Sequence, residues 1–258
     1  MEIDCRGQKV LVTAGGGGIG RVIAETFQEN GASVHVCDID ETALADLRAM
    51  RPEIGTSKAD VAQAGEVDRL FEEALGRLGG LDVLVNNAGI AGPTAWVEDV
   101  SPAEWDRTIG VCLNGMFYCV RRAVPVMKEA RQGCIINISS TSGRLAFPMR
   151  APYAVAKWAV NGFTNTLASE LGPFNIRVNS ILPGWVEGER AESVMRNKAA
   201  ALGISVEEMK AKAMQFIALK TQINPREIAE MAVYVASRSG RHISGQMLGV
   251  CGFIELER

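Results

Sequence analysis

Tyr153-Ala-Val-Ala-Lys157 sets a phenol and an ammonium four residues apart. On a helix that spacing puts both groups on one face. A free tyrosine has a pKa of about 10, so only about one in a thousand is ionised at pH 7. A cation alongside favours the phenolate and moves the pKa towards neutrality. The pair is then a proton donor and acceptor suited to a carbonyl/alcohol couple. Three other features give the spacing force: a glycine-rich turn near the N-terminus, Asn86-Asn87-Ala88-Gly89, and Ser140 upstream of the tyrosine.

These groups need a frame, and the chain alternates strand and helix patterns in a way that predicts a parallel sheet covered on both faces. Strands are expected at 9–13, 33–38, 57–60, 81–86, 134–139, 176–181 and 246–250. Helices are expected at 19–30, stopped by Gly31, and at 41–50, 65–78, 112–130 and from Tyr153 to Leu171. Ser101-Pro-Ala-Glu104 and Asn224-Pro-Arg-Glu227 each read as a capped helix start with proline at the first helical position. Residues 185–220 have a helical pattern but no sheet unit, and are too long for a simple connection, so a helical lid is expected there. With no linker, repeat or low-complexity segment, residues 1–258 read as a single domain of doubly wound, Rossmann-type α/β architecture.

Thr13-Ala-Gly-Gly-Gly-Gly-Ile-Gly20 joins the first strand to the first helix. In that context glycine admits a pyrophosphate close to the backbone, and the helix N-terminus offers free N–H groups and partial positive charge. Four consecutive glycines cost entropy and need such a reason. Asp38 closes the second strand, where an adenosine ribose would lie. A carboxylate there accepts from ribose hydroxyls and repels a 2′-phosphate by roughly 3 kcal/mol at about 5 Å and an effective dielectric near 20. No Arg or Lys in the glycine loop or just after Asp38 offsets it, so NAD is expected over NADP.

Composition narrows the alternatives. A formal charge of −3 argues against a nucleic-acid partner. No apolar run approaches a membrane span, and the charged start lacks a signal-peptide core, so a cytoplasmic location is the default expectation. The six cysteines form no CxxC pair and read as small buried hydrophobes. Two histidines, His35 and His242, in no HxxH pattern, give no expected metal site and no Ser-His-Asp hydrolase.

Taken together, the glycine turn, Asp60-Val61, Asn86-Asn87-Ala88-Gly89, Asn114, Ser139-Ser140, YxxxK and Pro183-Gly184 resemble the short-chain dehydrogenase/reductase family over nearly the whole chain, least from 185 to 220. The resemblance implies Tyr153 as general acid/base and Lys157 as the group that lowers its pKa and binds the nicotinamide ribose. Ser140, rather than Ser139, would bond the substrate oxygen, and Asn114 would hold a water in a proton relay from Lys157. Cofactor contacts are implied for Gly15, Gly18, Ile19, Gly20, Asp38, Asp60, Val61, Asn87, Ala88, Gly89, Tyr153, Lys157, Pro183, Gly184 and Val186. The sequence departs from the family at Ala14, usually glycine; at Glu187-Gly188, where threonine is frequent; and at Cys251-Gly252-Phe253, where Asp-Gly-Gly is frequent. Related enzymes pair the helices carrying Asn114 and Tyr153 across a two-fold axis, so a homodimer or homotetramer is expected.

Substrate should lie between the loop after Ser140 and the helices after Pro183, near Trp96, Arg150 and Trp185, with Phe147, Met149 and Met195 as further candidates. A guanidinium at 150 suits a carboxylate, sulfonate or polyhydroxylated substrate. The expected activity is hydride transfer between NAD(H) and a secondary alcohol or ketone, with sugars, polyols and hydroxy acids leading. An NADPH-dependent ketoreductase and a non-catalytic dinucleotide sensor are the alternatives.

Overall fold

The structure, a computed structural model, describes residues 3–254. Seven strands form one parallel sheet: β1 (Lys9–Thr13), β2 (Ser33–Asp38), β3 (Gly55–Lys58), β4 (Val83–Asn86), β5 (Gly133–Ile138), β6 (Ile176–Pro183) and β7 (Met247–Val250), in the order β3-β2-β1-β4-β5-β6-β7. The chain moves outward from β1 to β3 and then returns to β4 on the other side of β1. That reversal opens a crevice beyond the carboxyl ends of β1 and β4, where a doubly wound sheet binds its ligands.

The near-continuous apolar strands follow from burial on both faces. Val10 and Val12 of β1 join one core with Ile23 and Phe27 of α1 (Gly18–Glu29), Leu44 and Leu47 of α2 (Glu41–Met50), and Ile228 and Val233 of α9 (Pro225–Ala236). Leu11, between them, points to the opposite core with Leu70 and Phe71 of α3 (Ala64–Leu78), Cys119 and Ala123 of α5 (Gly115–Ala130) and Leu167 of α6 (Ala151–Leu171). All six cysteines are free and buried, Cys5 and Cys134 in the first core and Cys37 and Cys119 in the second. The expected third strand is displaced towards its N-terminus, to 55–58, because its ladder with β2 ends at the Asp38–Lys58 pair, where β2 itself ends.

The Ser101 capping box opens α4 (Pro102–Ile109), as its sequence foretold. Instead of stopping, α4 passes through a π turn at 110–114 directly into α5. Residues 185–220 contain α7 (Glu189–Leu202) and α8 (Val206–Gln215). These helices have a small core of their own around Trp185, Met195 and Ile217. No helix among the described residues is long and apolar enough to cross a membrane.

One buried titratable group gives a stability test. His35 of β2 is 3% exposed, and its Nε2 lies 2.8 Å from Ser57 Oγ, whose hydroxyl bonds Glu73. Burial, and then the Arg77 charge, push the imidazole pKa down to about 4, against an opposing pull from Glu73. The unfolded chain therefore binds more protons than the folded one between about pH 4 and 6.5, so this contribution is complete above 6.5 and is lost as pH falls towards 4. The full shift corresponds to roughly 3.4 kcal/mol, of which about 2.5 kcal/mol is lost between pH 7 and pH 4.5. Denaturant unfolding of wild type and His35→Asn should show a stability difference that shrinks by about that amount between pH 7 and pH 4.5. An unchanged difference would refute the buried neutral histidine.

Candidate active site

The glycine turn is built by close approach. A Cβ on Gly20 would lie 2.1 Å from Ala14 O and 2.4 Å from Asn87 Nδ2, so α1 can press on the end of β1 only with glycine there. Ala14 occupies the left-handed region, φ 51°, so the alanine itself, not a neighbouring glycine, makes the bend. That conformation costs an L-residue roughly 1–2 kcal/mol. Gly17 caps α1 without a side chain, leaving the first-turn N–H groups without a side-chain acceptor, and a Cβ on Gly17 or Gly18 would meet nothing within 4 Å. Open space against free helical N–H groups suits a dinucleotide pyrophosphate.

Thr13, which the sequence did not single out, ties the two sides of the crevice together. Its Oγ1 accepts from Asn87 N and Ala88 N, both at 3.0 Å, and Asn87 Nδ2 donates to Thr13 O at 3.0 Å and Ala14 O at 3.1 Å. Asn87 thus braces the glycine turn as well as lining it. Asn86 points the other way and donates to Asn137 at 2.9 Å across β4 and β5. At the far corner Asp38 is fixed by Gly16 N on Oδ2 (3.0 Å) and Asp40 N on Oδ1 (3.1 Å). Both Asp60 oxygens are in use, by Arg107 Nη1 (2.9 Å) and Ala62 N (3.0 Å), and Val61 is packed beneath the start of α5.

Tyr153 and Lys157 lie one turn apart on α6, with Lys157 Nζ 5.6 Å from the phenol ring centroid. The lysine is 3% exposed and donates to Ile138 O at the end of β5 at 2.7 Å. Ser139 Oγ is spent on Lys157 O at 3.2 Å, bracing the helix. Ser140 instead caps the turn after β5 and lies within hydrogen-bonding reach of Tyr153. Burial alone would raise the phenol pKa. The charges of Lys157 and Arg190, with the Ser140 hydrogen bond, outweigh it and leave the pKa below the usual tyrosine value.

Several expected contacts are not where the sequence put them. Asn114 is exposed, and the π turn presents Cys112 to the site. Cys112 Sγ accepts from Ile90 N at 3.3 Å and donates to Ile90 O at 3.4 Å. A Cβ at neighbouring Gly89 would lie 3.6 Å from that sulfur and 3.7 Å from Lys157 Nζ. Two residues further along a helix the side chain has turned roughly 200°, so Asn114 faces outward and cannot hold a water for Lys157. Trp96 is 52% exposed, whereas Trp185 is buried in the small core that it forms with Met195 and Ile217. The Val186 side chain packs inward, and its backbone forms a single bridge with Ile223 through the flanking Trp185 O and Glu187 N. Gly184 presses on Cys251, 2.8 Å from where its Cβ would be. Arg150 is the expected substrate residue that does sit at the phenol, with Cζ 5.1 Å from the ring centroid. Arg190 of α7 stands on another side of the ring at 5.9 Å and donates to Gly89 O at 3.0 Å, a contact with no local sequence signal.

A phenol of lowered pKa, a buried ammonium and a serine hydroxyl thus meet beside a crevice shaped for a dinucleotide. A family model described as enoyl-(acyl carrier protein) reductase matches residues 13–252. D-beta-hydroxybutyrate dehydrogenase of Cupriavidus necator is 32% identical, covering 95% of this chain and 97% of the relative. The chain belongs to the short-chain dehydrogenase/reductase family. Among solved members, NAD+-bound xylitol dehydrogenase superposes with a TM-score of 0.92 at 25% identity, covering 96% of this chain and 98% of that one. An actinorhodin polyketide ketoreductase with NADPH gives 0.89 at 33% identity, covering 95% and 96%. The protein is accordingly an oxidoreductase of this family, acting on hydroxyl or keto groups with a nicotinamide dinucleotide.

Proposed function

We propose that the protein is an NAD-dependent dehydrogenase that interconverts a secondary alcohol and its ketone, with a sugar, polyol or hydroxy acid as substrate. The observation that carries this reading is Tyr153 and the buried Lys157 one turn apart on α6, with Lys157 Nζ 5.6 Å and Arg190 Cζ 5.9 Å from the phenol ring centroid. In oxidation the phenolate takes the alcohol proton while Ser140 holds the substrate oxygen. A nicotinamide held in the crevice would supply the hydride acceptor for the carbinol carbon. Lys157, anchored on Ile138 O, keeps its charge beside the phenol and leaves two N–H groups for a ribose. In reduction the proton returns from Tyr153 to the carbonyl oxygen.

NAD is favoured by Asp38, whose oriented carboxylate has no ion-pair partner among the described residues. An NADPH-dependent ketoreductase is the second reading, favoured by the likeness to the NADPH-bound polyketide enzyme. A panel of secondary alcohols with NAD and NADP, followed by absorbance of the reduced cofactor, separates the two. Turnover confined to NADP would overturn the first.

The protein also acts as a homo-oligomer in this reading, as a dimer or tetramer. Trp105, Phe117, Val155 and Trp158 of α4, α5 and α6 are all exposed, at 37–53%. Exposed large apolar side chains on adjoining helices suit burial against a second copy. Trp158→Glu should shift the mass seen by light scattering towards the monomer. A native protein that is already monomeric at micromolar concentration would refute the pairing.

A further inference from the structure

We propose that the substrate is a small hydroxy acid or its keto acid, whose carboxylate is received by Arg150 and Lys198 beside Tyr153. This rests on the dehydrogenase reading above and selects among its substrate classes.

Arg150 is 2% exposed. Its Nη2 donates to Ala91 O at 2.6 Å, but Nε and Nη1 are buried without a hydrogen-bond partner. A buried guanidinium in a folded protein is ordinarily paired and fully bonded, because leaving water costs several kcal/mol. Apart from Ala91 O and the Cys112 thiol, its described surroundings are rings and further cations. Cζ lies 5.7 Å from the Phe147 ring centroid, and Lys198 Nζ sits over the same ring at 4.1 Å. Arg190 flanks the Tyr153 ring that Arg150 also touches. Among the described residues no carboxylate forms an ion pair with any of the three. The acids of α7 are engaged elsewhere, Glu189 with Arg196 and Glu192 with Lys210 (2.6 Å).

Like charges gathered around a reactive phenol, with two unused donors on the buried member, call for an anion. Lys198 is held below the usual lysine value, by burial first and then by the Arg150 charge, a penalty that a bound carboxylate relieves. Because the guanidinium lies against the phenol ring, an anion it holds is only a short way from the oxygen that Tyr153 serves. The reacting hydroxyl therefore belongs one or two carbons from the carboxylate. A long acyl-carrier thioester presents no charge at that distance, and a neutral polyol cannot neutralise the cluster.

The same cations could instead serve a phosphate of the cofactor, and the experiment separates the two sources. Lactate is compared with 1,2-propanediol, and 3-hydroxybutyrate with 1,3-butanediol, each pair differing only in the carboxylate. The wild-type kcat/KM should favour the acid by a hundredfold or more in at least one pair. Arg150→Gln and Lys198→Met should each narrow that ratio by roughly tenfold to a hundredfold, chiefly through KM, as expected for a charged hydrogen bond removed from binding. Lys198 is only partly buried, so its variant remains informative if Arg150→Gln fails to fold. Calorimetric titration with butyrate, which has no hydroxyl to oxidise, reads the anion site without turnover. It should bind wild type in the presence of NADH and lose that affinity in both variants. Fluorescence titration should show NADH affinity within about twofold of wild type. Equal use of acid and diol, or a large loss of NADH affinity in the variants, would overturn the proposal. Butyrate binding with no alcohol oxidised would leave the anion site standing and remove the dehydrogenase reading instead.

Discussion

Tyr153→Phe should lower kcat by about a thousandfold or more while leaving NADH binding and unfolding midpoint close to wild type. The phenyl ring still fills the space between Arg150 and Lys157, so packing is retained. Only the hydroxyl that exchanges the substrate proton is lost, and positioned acid/base groups contribute roughly 10²–10⁴ in rate. The pH profile gives an independent reading. Oxidation needs the phenolate, so kcat/KM should rise with pH and level off below the pKa of free tyrosine, since the Tyr153 value is lowered. Lys157→Met removes one of the charges that lower it and should move the inflection upward. Turnover of Tyr153→Phe at the wild-type rate on any substrate would end the assigned proton role.

Asp38→Asn should cut the preference for NAD over NADP by about a hundredfold. The substitution keeps the Oδ1 acceptor for Asp40 N and the shape of the corner, and removes the charge. One charge pair at about 5 Å and an effective dielectric near 20 is worth roughly 3 kcal/mol, which sets that figure. The measurement is kcat/KM for each cofactor on one alcohol, at two salt concentrations. The wild-type preference should weaken as salt screens the carboxylate. A ratio unmoved by the substitution would mean that Asp38 only shapes the turn, through its bond to Gly16 N.

The sheet was legible because both of its faces are buried, which writes strand after strand as an apolar run bounded by turn residues. The Tyr153–Lys157 pair was legible because a helix converts spacing into adjacency. Asn114 misled for the complementary reason: a π turn shifts the phase of the helix face, and nothing local announces one. Cys112, silent in composition, takes the inward position beside Ile90. Trp96 and Trp185 look alike in sequence, yet one is open to solvent and the other is buried, since burial is decided by α7 and α8 packing over Trp185. Arg150 was found by its place just before the tyrosine helix. Lys198 and Arg190 were not, because they reach the site from a segment whose charges read as a solvated face.

The helices beyond Gly184 cohere around Trp185, Met195 and Ile217, apart from the two cores that sandwich the sheet. Strand-like contact with the remainder is confined there to two single bridges, Val186 with Ile223 and Ile217 with Ile254. Such a unit can come loose at lower free energy than the strands beneath it. Residues along α7, Lys198 among them, can therefore drift while the scaffold that carries Arg150 and the phenol stays as it was.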